Sequence, residues 1–249
     1  CAVVAKKGLI QVGHVEAGLR SFDRTMPEEI NRMVTDTLSD YFFVTEQSGI
    51  TNLLQEGKPE EQIHFVGNVM VDNLFHQVEK LETINTEKFS SAAVKRAAQD
   101  YAFLTLHRPA NVDDKAHFQE IADALNEIAR ARPILFPVHP RTEKMLKVHG
   151  IQLSDRIKRL PPLGFRESLF LWKDATVVLT DSGGLQEETT ALRVPCVTLR
   201  ENTERPITLE MGSNVLGGTQ ADSILTAYER AVNGSRTGYR VPPKWDGKA

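Results

Sequence analysis

Ionisable side chains in this sequence gather where apolar runs end. In HVEAGLRSFDRTMPEEINR, residues 14–32, Glu16, Arg20, Asp23, Arg24, Glu28, Glu29 and Arg32 crowd one strand–loop–helix junction. Carboxylates that share a site are driven apart in pKa and divide into proton donor and proton acceptor. Glu16 and Glu28 are therefore acid/base candidates, with Arg32 one helical turn beyond Glu28. A plainer alternative stands beside this one. Thr25-Met26-Pro27-Glu28 has the spacing of a capping box, and Glu28–Arg32 would then be a solvated pair contributing ~0.3–0.5 kcal/mol.

Three further stretches carry the same signature. In TLHRPANVDD, residues 105–114, His107 and Arg108 follow an apolar run directly, where an imidazole and a cation could meet an anionic ligand; the alternative is that His107 caps the helix after Asn111. FPVHPRTEK places His139 and Arg141 after the next run in the same way. In TDSGGLQEETTALRVPCVTL, residues 180–199, Gly183 and Gly184 open a helix whose free N–H groups can receive a phosphate. Asp181 or Ser182 can cap that helix, and Glu188 on its first turns can reach a ribose hydroxyl pair, although two glycines before a helix also serve as a tight turn. Arg205, in ENTERPITLEMG, adds a donor past the following run.

The elements that must position these residues alternate between short β-rich runs and helical patterns, which predicts an α/β fold with parallel sheets. Strands are expected near residues 8–15, 40–45, 63–67, 101–106, 134–138, 175–180 and 195–199, the first with no helix before it. In an open parallel sheet, ligands bind beyond the carboxyl ends of the strands, and every candidate above sits at such an end or on the helix that follows. A helix is expected from the capping box onward, with Met26, Ile30, Met33, Val34 and Leu38 as its apolar face and Glu28 and Arg32 opposite. A domain boundary is placed at Gly67–Val71, giving an incomplete Rossmann-like domain over 1–68 and a second, nucleotide-binding one over 69–249. The chain reads as a fragment at both ends.

Composition limits the partners. With 249 residues, 41% apolar and 25% charged, there is chain for two modest domains, each with its own core. A net charge of -3 and no basic stripe argue against nucleic acid. No apolar run approaches the ~18 residues of a membrane span and no signal pattern opens the chain, so neither membrane attachment nor export is expected and the cytoplasm is the anticipated location. Cys1 and Cys196 have neither metal-type nor redox-type spacing, so neither zinc nor a disulfide is implied.

Taken in order, HVEAGLRS, PEEINR, VGNVMVD, TLHRPANVD, FPVH, LTDSGGLQEE and ENTERP resemble the non-hydrolysing UDP-N-acetylglucosamine 2-epimerases, over most of the chain. The resemblance implies a glycosyltransferase-B-like pair of Rossmann domains, no cofactor, and a homodimer at full length. It implies reversible C2 epimerisation of UDP-N-acetylglucosamine to UDP-N-acetylmannosamine for surface polysaccharide precursors, by loss and re-addition of UDP through 2-acetamidoglucal. It assigns Glu16 and Glu28 to acid/base positions, Arg32 to their support and His107 to the leaving group. Ser182, Gly183 and Gly184 fall to the pyrophosphate, Glu188 to the ribose, Arg205 to ligand binding, and His139 to a second, regulatory UDP-sugar site of some members. By the same comparison roughly a hundred residues, including the first glycine-rich turn and a catalytic GDT aspartate, would precede this chain, and a return helix would follow it. Pro109-Ala110 departs from the family's usual pattern after His107-Arg108, so a related UDP-2-acetamido sugar is an alternative substrate. A glycosyltransferase would share the glycine–helix–glutamate site without needing the Glu16/Glu28/Arg32 group, and a chain that reads as a fragment at both ends leaves a non-catalytic UDP-sugar-binding remnant as a third reading. All the candidates are expected to line a single cleft between two sheets.

Overall fold

The computed structural model describes residues 1–234 and 238–249. It is α/β, with two separate sheets whose strands are parallel throughout. The chain divides into two compact units, the first comprising Cys1–Phe75, Glu204–Ile207 and Pro242–Ala249, the second His76–Thr203 and Thr208–Val241.

In the first unit, β1 (Gly13–Val15), β2 (Tyr41–Val44) and β3 (Ile63–Phe65) lie in the order β1-β2-β3. Phe42 and Val44 point inward from β2 and meet Ala17 and Leu53, all fully buried. Trp245 is also buried in this unit, its indole N–H donating to the Thr45 carbonyl at 3.0 Å. The strand expected over 8–15 is shorter than the apolar pattern, and a helix, Ala2–Lys7, precedes it. Leu9 is left-handed at φ 58, which breaks an extended run, and the Val12 N–H is taken by the Asp40 carboxylate at 2.8 Å.

In the second unit, β4 (Ala102–Thr105), β5 (Ile134–Pro137), β6 (Ile157–Leu160), β7 (Val177–Thr180), β8 (Cys196–Thr198) and β9 (Asn214–Leu216) take the order β6-β5-β4-β7-β8-β9. Counted within the unit this is 3-2-1-4-5-6, the doubly wound dinucleotide-binding order. The reversal falls between β4 and β7, which run in register from Ala102↔Val177 to Thr105↔Thr180. Leu104, Phe136, Val177, Leu179 and Val197 form the sheet's share of the core. Ile121, Leu125 and Ile128 of helix Lys115–Ala131 pack there because i, i+4, i+7 spacing puts them on one face. The edge strands β6 and β9 are not anticipated from sequence: β6 exposes Lys158 and Arg159, and β9 is three residues long.

Helix Pro27–Leu38 forms where expected, but neither its cap nor its buried face is the anticipated one. Its N-cap is Met26, without a side-chain hydrogen bond, because Thr25 is used one turn earlier: its N–H and Oγ1 both donate to Asp23 Oδ1, at 2.9 and 2.6 Å. The buried side chains are Glu29 and Asp36, while Ile30 and Val34 are 43% and 45% exposed. Hydrogen bonding overrides the apolar pattern here. Glu29 accepts from Ser21 N and Oγ and from Phe22 N, pinning the preceding loop onto the helix.

Gly18 stands at a tight point of the first unit. It is left-handed at φ +78, and a Cβ there would lie 2.3 Å from the Gly49 carbonyl oxygen. Gly57 has the same φ, with nothing within 4 Å of its Cβ position. Replacing Gly57 by alanine should cost only the backbone term of ~1–2 kcal/mol, whereas Gly18→Ala adds an overpacking cost of ~1–3 kcal/mol. Urea unfolding of the two variants should rank them in that order, and equal stability would contradict the packing described.

Candidate active site

The first unit builds a charged group around Glu16. Glu16 follows β1 directly and is left-handed at φ 66, a conformation that costs a non-glycine residue of order 1 kcal/mol or more. Its neighbours hold it there. Ala17 N–H donates to the Phe43 carbonyl at 3.2 Å, and Gly18 N–H donates to Asp36 Oδ2 at 3.1 Å. Asp36, fully buried, also meets His14 Nδ1 at 2.6 Å and Arg20 Nη2 at 2.7 Å. Burial pushes the Asp36 carboxyl up, but His14 and Arg20 outweigh it and hold the group below the usual carboxylate range.

Around this loop, Arg205 Nη2 lies 3.4 Å from Glu16 Oε2, and Arg32 lies 3.8 Å from both Glu29 and Glu204. Burial, then repulsion from Arg205, holds the Arg32 guanidinium below its ordinary value. Two arginines and three glutamates thus share one partly desolvated region. Glu28 is exposed, and Arg32 pairs with Glu29 and Glu204 in place of the anticipated i,i+4 partner. Glu29 and Glu204 were not singled out by sequence. Glu29 sits beside Glu28 in a charged run, and only the helix phase separates their environments.

In the second unit the candidates meet at the switch point between β4 and β7. His107 and Arg108 follow β4, and Asp181 and Ser182 follow β7. His107 Nδ1 is 2.9 Å from Asp181 Oδ1, and the backbone N–H groups of His107 and Arg108 donate to Asp181 Oδ2 at 2.9 and 2.7 Å. The bond to Asp181 raises the His107 imidazole above its usual value, against burial and Arg108. His107 caps no helix; Arg108 and Asp114 precede the two that follow.

Helix Gly183–Ala191 begins at Ser182, whose side chain makes no capping bond. The space beside Gly184 is open, with nothing within 4 Å of a Cβ built there. Glu188 lies one turn and a half along, nearly buried, and burial followed by the charge of Glu187 pushes its carboxyl up to about 7. His139 is the N-cap of helix Pro140–His149, its Nδ1 accepting from Arg141 N–H at 3.2 Å, and its ring centroid is 5.8 Å from that of His107. Arg141 is paired with Asp113, so the cation anticipated for a ligand there is already engaged. Among the described residues no group of three His, Cys, Asp or Glu side chains is placed to hold a metal, and no helix is long and apolar enough to cross a membrane. Cys1 and Cys196 are free thiols.

The family model of UDP-N-acetylglucosamine 2-epimerase matches residues 1–249. The chain belongs to that family. A UDP-N-acetylglucosamine 2-epimerase of Methanocaldococcus jannaschii is 45% identical over 242 residues, 94% of this chain and 66% of the relative, so this chain spans about 66% of that relative's length. A crystal structure of the M. jannaschii UDP-GlcNAc 2-epimerase, in complex with UDP-GlcNAc and UDP, superposes with a TM-score of 0.87 at 42% identity, covering 99% of this chain and 69% of that one. A UDP-2,3-diacetamido-2,3-dideoxy-D-glucuronate 2-epimerase of Pseudomonas aeruginosa is 37% identical over 235 residues, covering 93% of this chain and 63% of the relative.

The family member's Glu188 has a testable thermodynamic signature. Its folded pKa of about 7 lies above the ordinary value of 4.5, so the folded state holds a proton that the unfolded chain has released between those values. Stability present below pH 4.5 is therefore lost as pH rises through 7, by about 3 kcal/mol at ~1.4 kcal/mol per pH unit. Glu188→Gln removes the ionisation. The variant should be more stable than the parent at pH 8 and indistinguishable from it near pH 4.5, by urea unfolding across pH. A variant less stable at pH 8 would show that Glu188 is ionised without penalty.

Proposed function

We propose that the protein epimerises UDP-N-acetylglucosamine at C2, giving UDP-N-acetylmannosamine, without a cofactor. What carries this reading is the nucleotide-binding strand order with Ser182, Gly183 and Glu188 at its switch point, in a chain 42% identical to a relative crystallised with UDP-GlcNAc and UDP. The second unit, in this reading, holds the nucleotide. Backbone N–H groups after Ser182 receive the pyrophosphate at the helix N-terminus, Glu188 accepts from the ribose hydroxyls, and His107 and Arg108 face the departing phosphate. The first unit supplies proton transfer through Glu16 and Glu28, with Arg32 and Arg205 keeping neighbouring carboxylates ionised.

The C2 proton of the sugar is weakly acidic, so its removal must be coupled to departure of UDP. One carboxylate takes the proton, the C2–H electron pair forms the C1–C2 double bond, and the C1–O electron pair leaves with UDP, giving 2-acetamidoglucal. Re-addition reverses each step, with a second carboxylate protonating C2 from the other face. Positive charge at His107 and the helix N-terminus stabilises the UDP oxygen as it departs. His139 is proposed for a second, regulatory UDP-sugar, and the complete protein for a cytoplasmic homodimer serving surface polysaccharide synthesis. A second substrate reading has one observation behind it: the P. aeruginosa relative is named for a diacetamido-glucuronate sugar, and Pro109-Ala110 follow the His107-Arg108 pair.

Two measurements test the reading. Glu188→Gln should weaken UDP binding by ~1–3 kcal/mol in calorimetry, the cost of a lost charge-assisted hydrogen bond; unchanged affinity would remove Glu188 from the site. The full protein, given UDP-N-acetylglucosamine in deuterated water without an acceptor, should form product carrying deuterium at C2, with traces of UDP and 2-acetamidoglucal. Product without deuterium rules out proton abstraction, and turnover that requires an acceptor indicates a glycosyltransferase.

A further inference from the structure

We propose that Asp181 is a positioning residue for His107, its buried carboxylate fixing the ring so that Nδ1 carries the proton and Nε2 is left to face a bound diphosphate. This rests on the reading of the second unit as the nucleotide-binding part. Asp181 is fully buried at the end of β7, and its two oxygens have different tasks. Oδ2 gathers the backbone N–H groups of His107 and Arg108 and the Asn111 Nδ2 group, at 2.9, 2.7 and 3.3 Å. Arg108 Nε adds a bond to the Asp181 carbonyl at 2.8 Å. These bonds lock the carboxylate against the end of β4 and leave Oδ1 2.9 Å from the imidazole Nδ1.

The consequence is chemical. A carboxylate gives Nδ1 no proton, so the N–H must sit on that nitrogen, and the ring's other nitrogen becomes the one that meets a ligand. The charged and titratable groups facing His107 are Asp181, Arg108 and the tilted ring of His139. His139 turns its Nδ1 lone pair to its own helix, where it accepts from Arg141 N–H. Of these only Asp181 favours the imidazolium. The same aspartate could equally be a tie between two strand ends; what separates the roles is the ring's tautomer and titration, which a tie would leave alone.

Ring 15N–1H spectra of the chain, of Asp181→Asn and of His107→Gln as an assignment control, decide between them. In the parent chain His107 should titrate above ~6.5, with the proton on Nδ1 once neutral. In Asp181→Asn the titration should fall by about one pH unit or more and the Nδ1 preference should be lost. UDP affinity at pH 7, by calorimetry, should drop about tenfold in the variant, the fold-change of a pKa lowered by about one unit. A parent His107 titrating at or below 6.5, a neutral ring protonated on Nε2, or an unshifted His107 in Asp181→Asn would each overturn the proposal. If Asp181→Asn does not fold, the parent's tautomer and titration decide alone. Absence of UDP binding to a parent chain whose His107 titrates as expected would overturn the nucleotide reading and leave the pairing standing.

Discussion

A parallel strand delivers its last residues to an edge where the backbone ladder has stopped, so N–H groups there must find partners beyond the sheet. In both units a buried aspartate fills that need and collects a histidine as it does so. Asp36 takes the Gly18 N–H and pairs with His14, and Asp181 takes the His107 and Arg108 N–H groups and pairs with His107 itself. A buried carboxylate is costly unless its lone pairs are filled, so each aspartate demands several donors within reach, and those donors fix a loop. The loops so fixed are the ones that carry Glu16 and His107.

The energetics of the two units then diverge. Around Asp36 the balance is ionic, with Arg20 bridging Asp36 and Glu56 and the cluster closed upon itself. At the β7 end the Asp181 carboxylate takes two main-chain N–H groups, and the helix after Ser182 begins with no side-chain cap. Free N–H groups at a helix N-terminus attract an anion, while six residues beyond Ser182 Glu188 is held in a setting that resists ionisation.

Much of this was legible in the sequence, and the limits have physical causes. Apolar runs of β-rich composition predict seven strands that form: the central strands β2, β4, β5, β7 and β8, because buried strands are apolar on both faces, and the edges β1 and β3 of the first sheet. The edge strands β6 and β9 escaped because an edge need not be apolar, and Lys158-Arg159 shows none of that pattern. Position alone places His107 and Ser182 at strand ends and Glu188 on the following helix, but it does not give the partnership of His107 with Asp181. Seventy-four residues separate them, and only the order β4-β7 makes their strands neighbours. Read along the chain, Asp181 is a helix cap; read across the sheet, it is a histidine's counter-ion.

Helix Pro27–Leu38 shows the opposite failure, in which a strong local pattern misleads. Its apolar residues recur at helical spacing, yet Glu29 and Asp36 are the side chains it buries. Periodicity predicts the buried face only when burial is driven by apolar area, at ~25 cal/mol per Å². Here each buried carboxylate gathers three or more donors, and leaving those donors unpaired would cost ~1–3 kcal/mol apiece, which outweighs turning Ile30 and Val34 inward. The same phase that buries Glu29 points Arg32 toward Glu204 and leaves Glu28 exposed. Of the two carboxylates, Glu28 faces solvent, whereas Glu16, held left-handed beside Arg205, is set by the fold.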